Sequence, residues 1–462
     1  MTPVGPGTRT VRKVGTKSGL TRSGGAGRPG RRVLTAGTAL PVFVLGAGFV
    51  LGTGGATSAA AQDRGLGVAS ASGAAGVPGV GEAPSVPTPL ATSVRANGGT
   101  WATVAMGDLG QPLNTFWQLM FHPDGAGKWT DHVEATATAT NGGLVLAGGG
   151  GSLIVGVRPS NDLTFSPLIS TTNGGRSWSD GLLDQGLASR PEALAAGPGG
   201  RALAIVEGRG GAEVVRSNGN LTTWQPLMTA RALAAVPSGR TCDPATITSV
   251  GYLAGAAVLG TSCQRSGQSA IFVQQGETWH QAGPPRSSSS GPYQRGRAEV
   301  LGLMPDGGGL AALVGLAPPG TKEGGAKEGG AKERGAATTL DPGFVVAWAT
   351  TSGIWRTSPA YSLGTGHHLA SFGATPAGGV FVLGQGPSGG MALAVAGGPG
   401  LSWRDLPAPP NSTATVAFLP GGTVDALAVK STTLTVWALS PGTTSWAKAQ
   451  VLDVPVQFGS SS

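Results

Sequence analysis

The stretch TTNGGRSW, Thr171 to Trp178, decides how this chain is read. It places two glycines and an asparagine in a tight polar bend and ends on a large aromatic. Thr171 and Asn173 can satisfy turn amides through their own side chains. Gly175 accepts a backbone that other residues resist. Trp178 then supplies apolar burial where glycine-rich strands supply little.

The bend recurs. DGAGKW ends at Trp129, NGNLTTW at Trp224, QQGETW at Trp279, TTSGIW at Trp355, GGPGLSW at Trp403 and SPGTTSW at Trp446. With Trp178 this makes seven tryptophan-ended bends, 43 to 76 residues apart, a spacing close to one four-stranded propeller blade. Each unit carries a second landmark, a Pro/Gly turn between alternating apolar runs, as in ALAAGPGGRALAIV, VLGLMPDGGGLAALVG, SFGATPAGGVFVLG and TVAFLPGGTVDALAV. Proline presets φ and glycine takes the positive φ of a tight reversal. A unit therefore reads strand A, turn, strand B, connection, strand C, glycine bend, and strand D starting at tryptophan.

The spacing Thr171-x-Asn173-x-Gly175-x-Ser177-Trp178 resembles the Asp-box, or BNR repeat, of sialidase-like propellers, with Asn173 where aspartate is commoner. The other units are degenerate: Gly-x-Ser/Thr-Trp survives at Trp279 and Trp403, Trp224 and Trp446 keep only Thr or Ser before tryptophan, and Trp129 has Asp124 at the matching offset. The resemblance implies a bend that joins strands C and D and an aromatic packed between blades, an architectural role and not a catalytic one. The expected fold class is all-β: a β-propeller of seven four-stranded blades over residues 91–459, with a tail at 460–462. The first unit reads NGGTWATVAM as strand B, NTFWQLMF as C and KWTDHV as D. Its strand A comes either from ATSVRA just upstream or from VLDVPVQF at 451–458, and the second is preferred because it closes the ring with both chain ends in one sheet.

Composition agrees with a turn-rich β domain. Gly (82) and Pro (34) make a quarter of the 462 residues, yet 40% are apolar, arranged in short runs rich in Val, Thr and Trp. The net charge of +8 is localised. Residues 1–61 hold eight of the 31 basic side chains and none of the acids, so the remainder is neutral and nucleic acid is not an expected partner.

That basic leader precedes Val33 to Leu51, nineteen residues without charge, and then Ala59 and Ala61 fit an A-x-A cleavage site. Arg31-Arg32 resembles the start of a twin-arginine signal. The segment is expected to be a signal peptide or an anchor helix at 33–51, which makes the protein extracytoplasmic, secreted or held at the cytoplasmic membrane. Residues 62–90, with Pro78, Pro84, Pro87 and Pro89, read as a spacer, and 283–297 and 320–336 as disordered inserts. Both inserts fall on D-to-A or B-to-C connections, hence on one face.

Export favours pairing of the two cysteines, Cys242 and Cys263. A metal is the alternative, but the five histidines give no ligand spacing. No cofactor motif is visible. A sialidase-like hydrolase needs an arginine triad, an aspartate and a tyrosine nucleophile, as the resemblance implies. Of the three tyrosines, Tyr252 sits in an apolar strand and Tyr293 in an insert, leaving Tyr361 as the runner-up catalytic residue. Arg158, Arg216 and Arg356 are candidate arginines, and RPSND (158–162) and SRPEAL (189–194) match the family's early arginine motif poorly. The expectation is a monomeric, non-catalytic module binding a cell-envelope protein or glycan, with exo-glycosidase as the alternative.

Overall fold

The computed structural model describes residues 92–454, apart from stretches of the connections at 110–113, 126, 139–142, 150, 159–163, 209–210, 265–267, 284–295, 307–308, 318–342, 351–353, 365 and 398–400. The leader, Ala59 and Ala61, the spacer at 62–90, Tyr293, the bulk of both inserts and the tail lie outside the described residues.

Seven antiparallel sheets follow one another, each a meander of consecutive strands. Blade 1 is β1 (Ser93–Ala96), β2 (Gly99–Gly107), β3 (Thr115–Pro123) and β4 (Thr130–Thr138). Blade 2 is β5 (Leu144–Gly149), β6 (Ser152–Val157), β7 (Ser166–Thr171) and β8 (Ser179–Leu183). Blade 3 is β9 (Leu194–Ala196), β10 (Arg201–Gly208), β11 (Gly211–Asn218) and β12 (Trp224–Thr229), followed by helix α1 (Ala230–Ala235). Blade 4 is β13 (Pro244–Leu253), β14 (Ala256–Cys263), β15 (Ser269–Gln275) and β16 (Thr278–Gly283).

Blade 5 is β17 (Arg297–Asp306), β18 (Gly309–Ala317), β19 (Gly343–Ala349) and β20 (Trp355–Thr357), with β21 (Tyr361–Ser362) also on β19. Blade 6 is β22 (His368–Ala374), β23 (Val380–Gln385), β24 (Met391–Gly397) and β25 (Ser402–Leu406). Blade 7 is β26 (Thr413–Phe418), β27 (Val424–Lys430), β28 (Thr433–Leu439) and β29 (Ala447–Asp453). The protein is a seven-bladed, all-β propeller with four-stranded blades.

The second strand of a blade lies between neighbouring sheets on both faces, which is why β10, β18 and β27 read as nearly continuous apolar runs rather than alternating ones. Outer strands such as β25 and β29 hold no fully buried residue and are mostly exposed. Large side chains from two adjacent sheets fill each seam. Between blades 7 and 1, for example, Met106, Met120 and Trp129 pack with Leu427, Leu434 and Val436.

The strand that completes blade 1 corrects the preferred expectation. ATSVRA supplies it as β1, paired to β2 through Ser93↔Ala102 to Ala96↔Gly99, whereas β29 is the outer strand of blade 7, paired to β28. Among the described residues no sheet joins β1 to β29. The ring closes through side chains and one bridge instead: Gly107 N donates to Ser431 O (2.8 Å) and Ser93 Oγ to Val416 O (2.8 Å). Trp129 Nε1 donates to Asp425 Oδ2 (2.9 Å), and Gln450 exchanges two bonds with the Trp129 backbone (3.0 and 2.9 Å). Between blades 3 and 4 the helix α1 is capped by the Thr229 side chain on Ala232 N.

Candidate functional site

Three places were singled out by the sequence: the Thr171–Trp178 bend, the cysteines and Tyr361. The bend joins β7 to β8. Thr171 Oγ1 accepts from Gly175 N (3.0 Å) and Asn173 N (3.3 Å), while Asn173 Oδ1 accepts from Ser177 N (3.0 Å) and its Nδ2 donates to Ser177 Oγ (2.7 Å). Asn97, in the β1–β2 turn of blade 1, donates to Thr171 O (2.7 Å). Gly175 has φ +78°, and a Cβ there would stand 2.8 Å from the Trp101 ring. Trp178 itself meets Trp101 of blade 1 edge-on, ring centroids 5.7 Å apart. The bonds of Thr171 and Asn173 are made within the bend or to blade 1, while Thr172, Arg176 and Ser177 are exposed.

The other six tryptophans stand at or just before the outer strand of their own blade, and several of their ring N–H groups cross to the preceding one. Trp224 Nε1 donates to Leu182 O, Trp403 Nε1 to Pro359 O and Ser358 Oγ, and Trp446 Nε1 to Pro407 O. Trp279 joins the core of blades 2 to 4, and Trp355 packs against the core of blades 4 and 5. Trp129 reaches Asp425, whose carboxyl is held above its ordinary range by burial, against the lowering effect of the Trp129 bond and nearby His122. Asp124 does not cap its own turn; it forms a two-bond ion pair with Arg95 (2.9 and 2.8 Å).

Cys242 and Cys263 flank the open end of the β13–β14 hairpin, where Pro244 and Cys263 are register partners. Their Cα atoms are 5.0 Å apart and the sulfurs are bonded at 2.08 Å. Tyr361 sits at the rim. Its ring stacks on Trp403 (4.8 Å), its hydroxyl donates to Asp405 (2.5 Å), and desolvation together with Asp405 pushes the phenol upward. A nucleophile needs the opposite shift. Arg158 is buried and donates to Arg190 O; burial lowers it to about 10. Arg216 lies on β11 and Arg356 on β20, in separate blades, so the arginines form no triad around Tyr361.

Sequence reasoning passed over the axis. A cavity of about 450 Å³ lies where the inner strands converge, lined by Val94 and Arg95 of blade 1, Leu146 and Ala147 of blade 2, Glu192 and Leu194 of blade 3, Tyr252 of blade 4, Leu303 and Met304 of blade 5, Thr375 of blade 6 and Pro420 of blade 7. The inner strand of blade 3 is broken in order to line it. Ala188 N donates to Ile205 O, and Ile205 N donates to Ala193 O, so residues 188 and 193 face the same partner and Ser189, Arg190, Pro191 and Glu192 loop out of the ladder. Pro191 has no N–H to give a sheet, which suits it to such an excursion.

The loop delivers two charges. Arg190 Nη1 pairs with Glu299 Oε1 of blade 5 (3.2 Å), spanning blade 4. Glu192 is half-buried with its open side to the cavity. Its Cγ lies 3.1 Å from where a Cβ on Gly302 would stand, but the tighter contact there is the Phe372 ring at 2.4 Å. The Glu192 carboxyl makes no hydrogen bond or ion pair among the described residues, and desolvation raises it to about 8. Tyr252 adds a buried hydroxyl without a partner. The signal for this site was SRPEAL itself: a proline and two charges interrupting what should be an apolar inner strand.

Fold and axial cavity together define a propeller. No protein-family model matches the chain, and no curated protein matches it in sequence. Solved structures that resemble it include a periplasmic gluconolactonase from Pseudomonas aeruginosa (14% identical over 76% of this chain and 95% of that one, TM-score 0.47). The propeller domain of a trilobed protease from Pyrococcus furiosus (6%, 77% and 97%, 0.39) and a fucose-specific lectin from Aleuria aurantia (14%, 80% and 100%, 0.36) are others. The superpositions are loose, and it is the chain's own strand register that defines its fold.

Proposed function

We propose that this chain is an exported, non-catalytic propeller of the Asp-box type that holds a protein partner at the cell envelope. The observation that carries the reading is the end of the ring where B–C and D–A connections emerge. There Leu109 (β2–β3 connection) and Phe165 (β6–β7 connection), on adjacent blades, are 65% and 37% exposed. The strands that flank residues 284–296 and 318–342, β16 and β17 and β18 and β19, meet those connections at the same end. Apolar side chains displayed on neighbouring connections are the usual core of a protein contact. The leader with Ala59 and Ala61 supports export, and the closeness of Cys242 and Cys263 supports an oxidised pair there.

Crosslinking on intact cells followed by mass spectrometry tests this. Wild type should capture an envelope protein, and Leu109→Ser/Phe165→Ser, with an unchanged melting temperature, should lose it; equal capture by both removes this face from the proposal. A glycan partner is the other outcome, read by array. Exo-glycosidase activity has no comparable support, because Tyr361 is engaged by Asp405 and Trp403. Turnover of a fluorogenic sialoside that Tyr361→Phe abolishes would reverse that judgement.

A further inference from the structure

We infer that the axial cavity is a binding site for a small organic ammonium, with Glu192 as its counter-ion and the aliphatic walls as the seat of its apolar body. This goes beyond the partner-binding face, which lies on the outer connections. Four observations converge. The cavity holds about 450 Å³, within the range of small-molecule sites. Its walls at Leu146, Leu194, Leu303 and Met304 are apolar. The inner strand of blade 3 leaves its ladder solely over residues 189–192, and that excursion sets Glu192 on the wall. Among the described residues the Glu192 carboxyl has no hydrogen-bond or ion-pair partner.

The sign of the ligand's charge follows from the neighbours. The arginines nearest Glu192 along the wall are matched, Arg190 with Glu299 and Arg95 with Asp124; Arg201 and Arg216 lie toward Tyr252, Arg201 5.8 Å from its ring, and favour its ionised form. Tyr252 is a neutral phenol, its hydroxyl pushed up to about 12 mainly by desolvation. Glu192 forms no ion pair among the described residues, Arg95 on the same wall being held by Asp124, and desolvation is what makes its carboxyl resist ionisation. A desolvated carboxyl gains most from a cation that brings an N–H donor and fills the dry space beside it. A neutral hydroxyl offers the hydrogen bond without the charge, and an anion is repelled. At neutral pH the carboxyl gives up its proton to solvent as the ammonium enters, so charge balances within the cavity.

Benzylamine and benzyl alcohol, alike in shape, are the probes, titrated calorimetrically into the intact protein at pH 7 in two buffers of different ionisation enthalpy. The expected result is one-to-one binding of the amine, about ten-fold or more tighter than the alcohol, with release of a proton to the buffer. Glu192→Gln should erase the preference, and Leu109→Ser/Phe165→Ser should keep it. Absence of amine binding at millimolar concentration, equal affinity for amine and alcohol, or an unaltered preference in Glu192→Gln overturns the inference. Should Glu192→Gln fail to fold, the wild-type comparison and the proton count decide alone.

Discussion

Thr171 and Asn173 show how little chemistry a blade junction needs. Between them they close five backbone or side-chain bonds inside a bend where Gly175 supplies an N–H, a positive φ and room for the Trp101 ring. Thr171→Val keeps the shape and removes the acceptor for two partly buried amides, so it should cost about 1–3 kcal/mol by urea denaturation. Asn173→Ala should cost about 1 kcal/mol and Asn173→Asp almost nothing, because a carboxylate accepts from Ser177 N equally well. Glu192 behaves in the opposite sense. Raised from 4.5 to about 8, it keeps in the folded state a proton that the unfolded chain has already lost. Stability should therefore be unaffected below pH 4.5, fall as pH rises from 4.5 to 8, and level off beyond, by up to about 5 kcal/mol. Glu192→Gln should flatten this profile, melting higher than wild type at pH 8 and equal to it at pH 4 by calorimetry. A profile that keeps its slope in the variant would assign the titration to another group.

At the scale of the strand, the outer strand β29 has two duties. It covers β28 and it carries Gln450 to the Trp129 backbone of the neighbouring blade. Truncation after Ala447 removes both, and the expected outcome is loss of the cooperative melt of the whole ring, since blade 7 then exposes a bare edge beside blade 1. Gln450→Ala is the milder probe. It keeps the strand, removes two bonds and should lower stability by about 1–2 kcal/mol. The β13–β14 hairpin carries the cysteines at its open end. A bond across a 21-residue separation should stabilise by roughly 3 kcal/mol, so a reducing agent should lower the melting temperature of wild type and leave Cys242→Ser/Cys263→Ser untouched.

Across the whole molecule the weakest joint is the seam between blades 7 and 1. Six seams are tied by the chain passing through them. The seventh has only what its side chains and one bridge supply: Asp425 on Trp129, Ser93 on Val416, Gly107 on Ser431, and the apolar layer beneath. Trp129→Phe keeps an aromatic ring but strands the buried Asp425 without its donor, and should cost about 2–4 kcal/mol; proteolysis should then begin at the chain ends before it reaches blade 4.

The seven bends, the count of blades and the polar logic of Thr171–Trp178 are local in origin. A tight reversal depends on which residues occupy a few successive positions, and a tryptophan every blade length marks where a seam must be filled, so both are legible along the chain. Closure was not. ATSVRA and the segment around 451–458 have equal claim to an inner strand by pattern, and only the register of β1 on β2 chose between them. The axial cavity was equally hidden: a lone glutamate after a proline comes to line it only when the inner strands of six other blades, far apart along the chain, converge around it. Sequence order therefore determined what each blade is, whereas circular packing decided which ends meet and what the centre can hold, because seams and cavities belong to surfaces that no single stretch of chain contains.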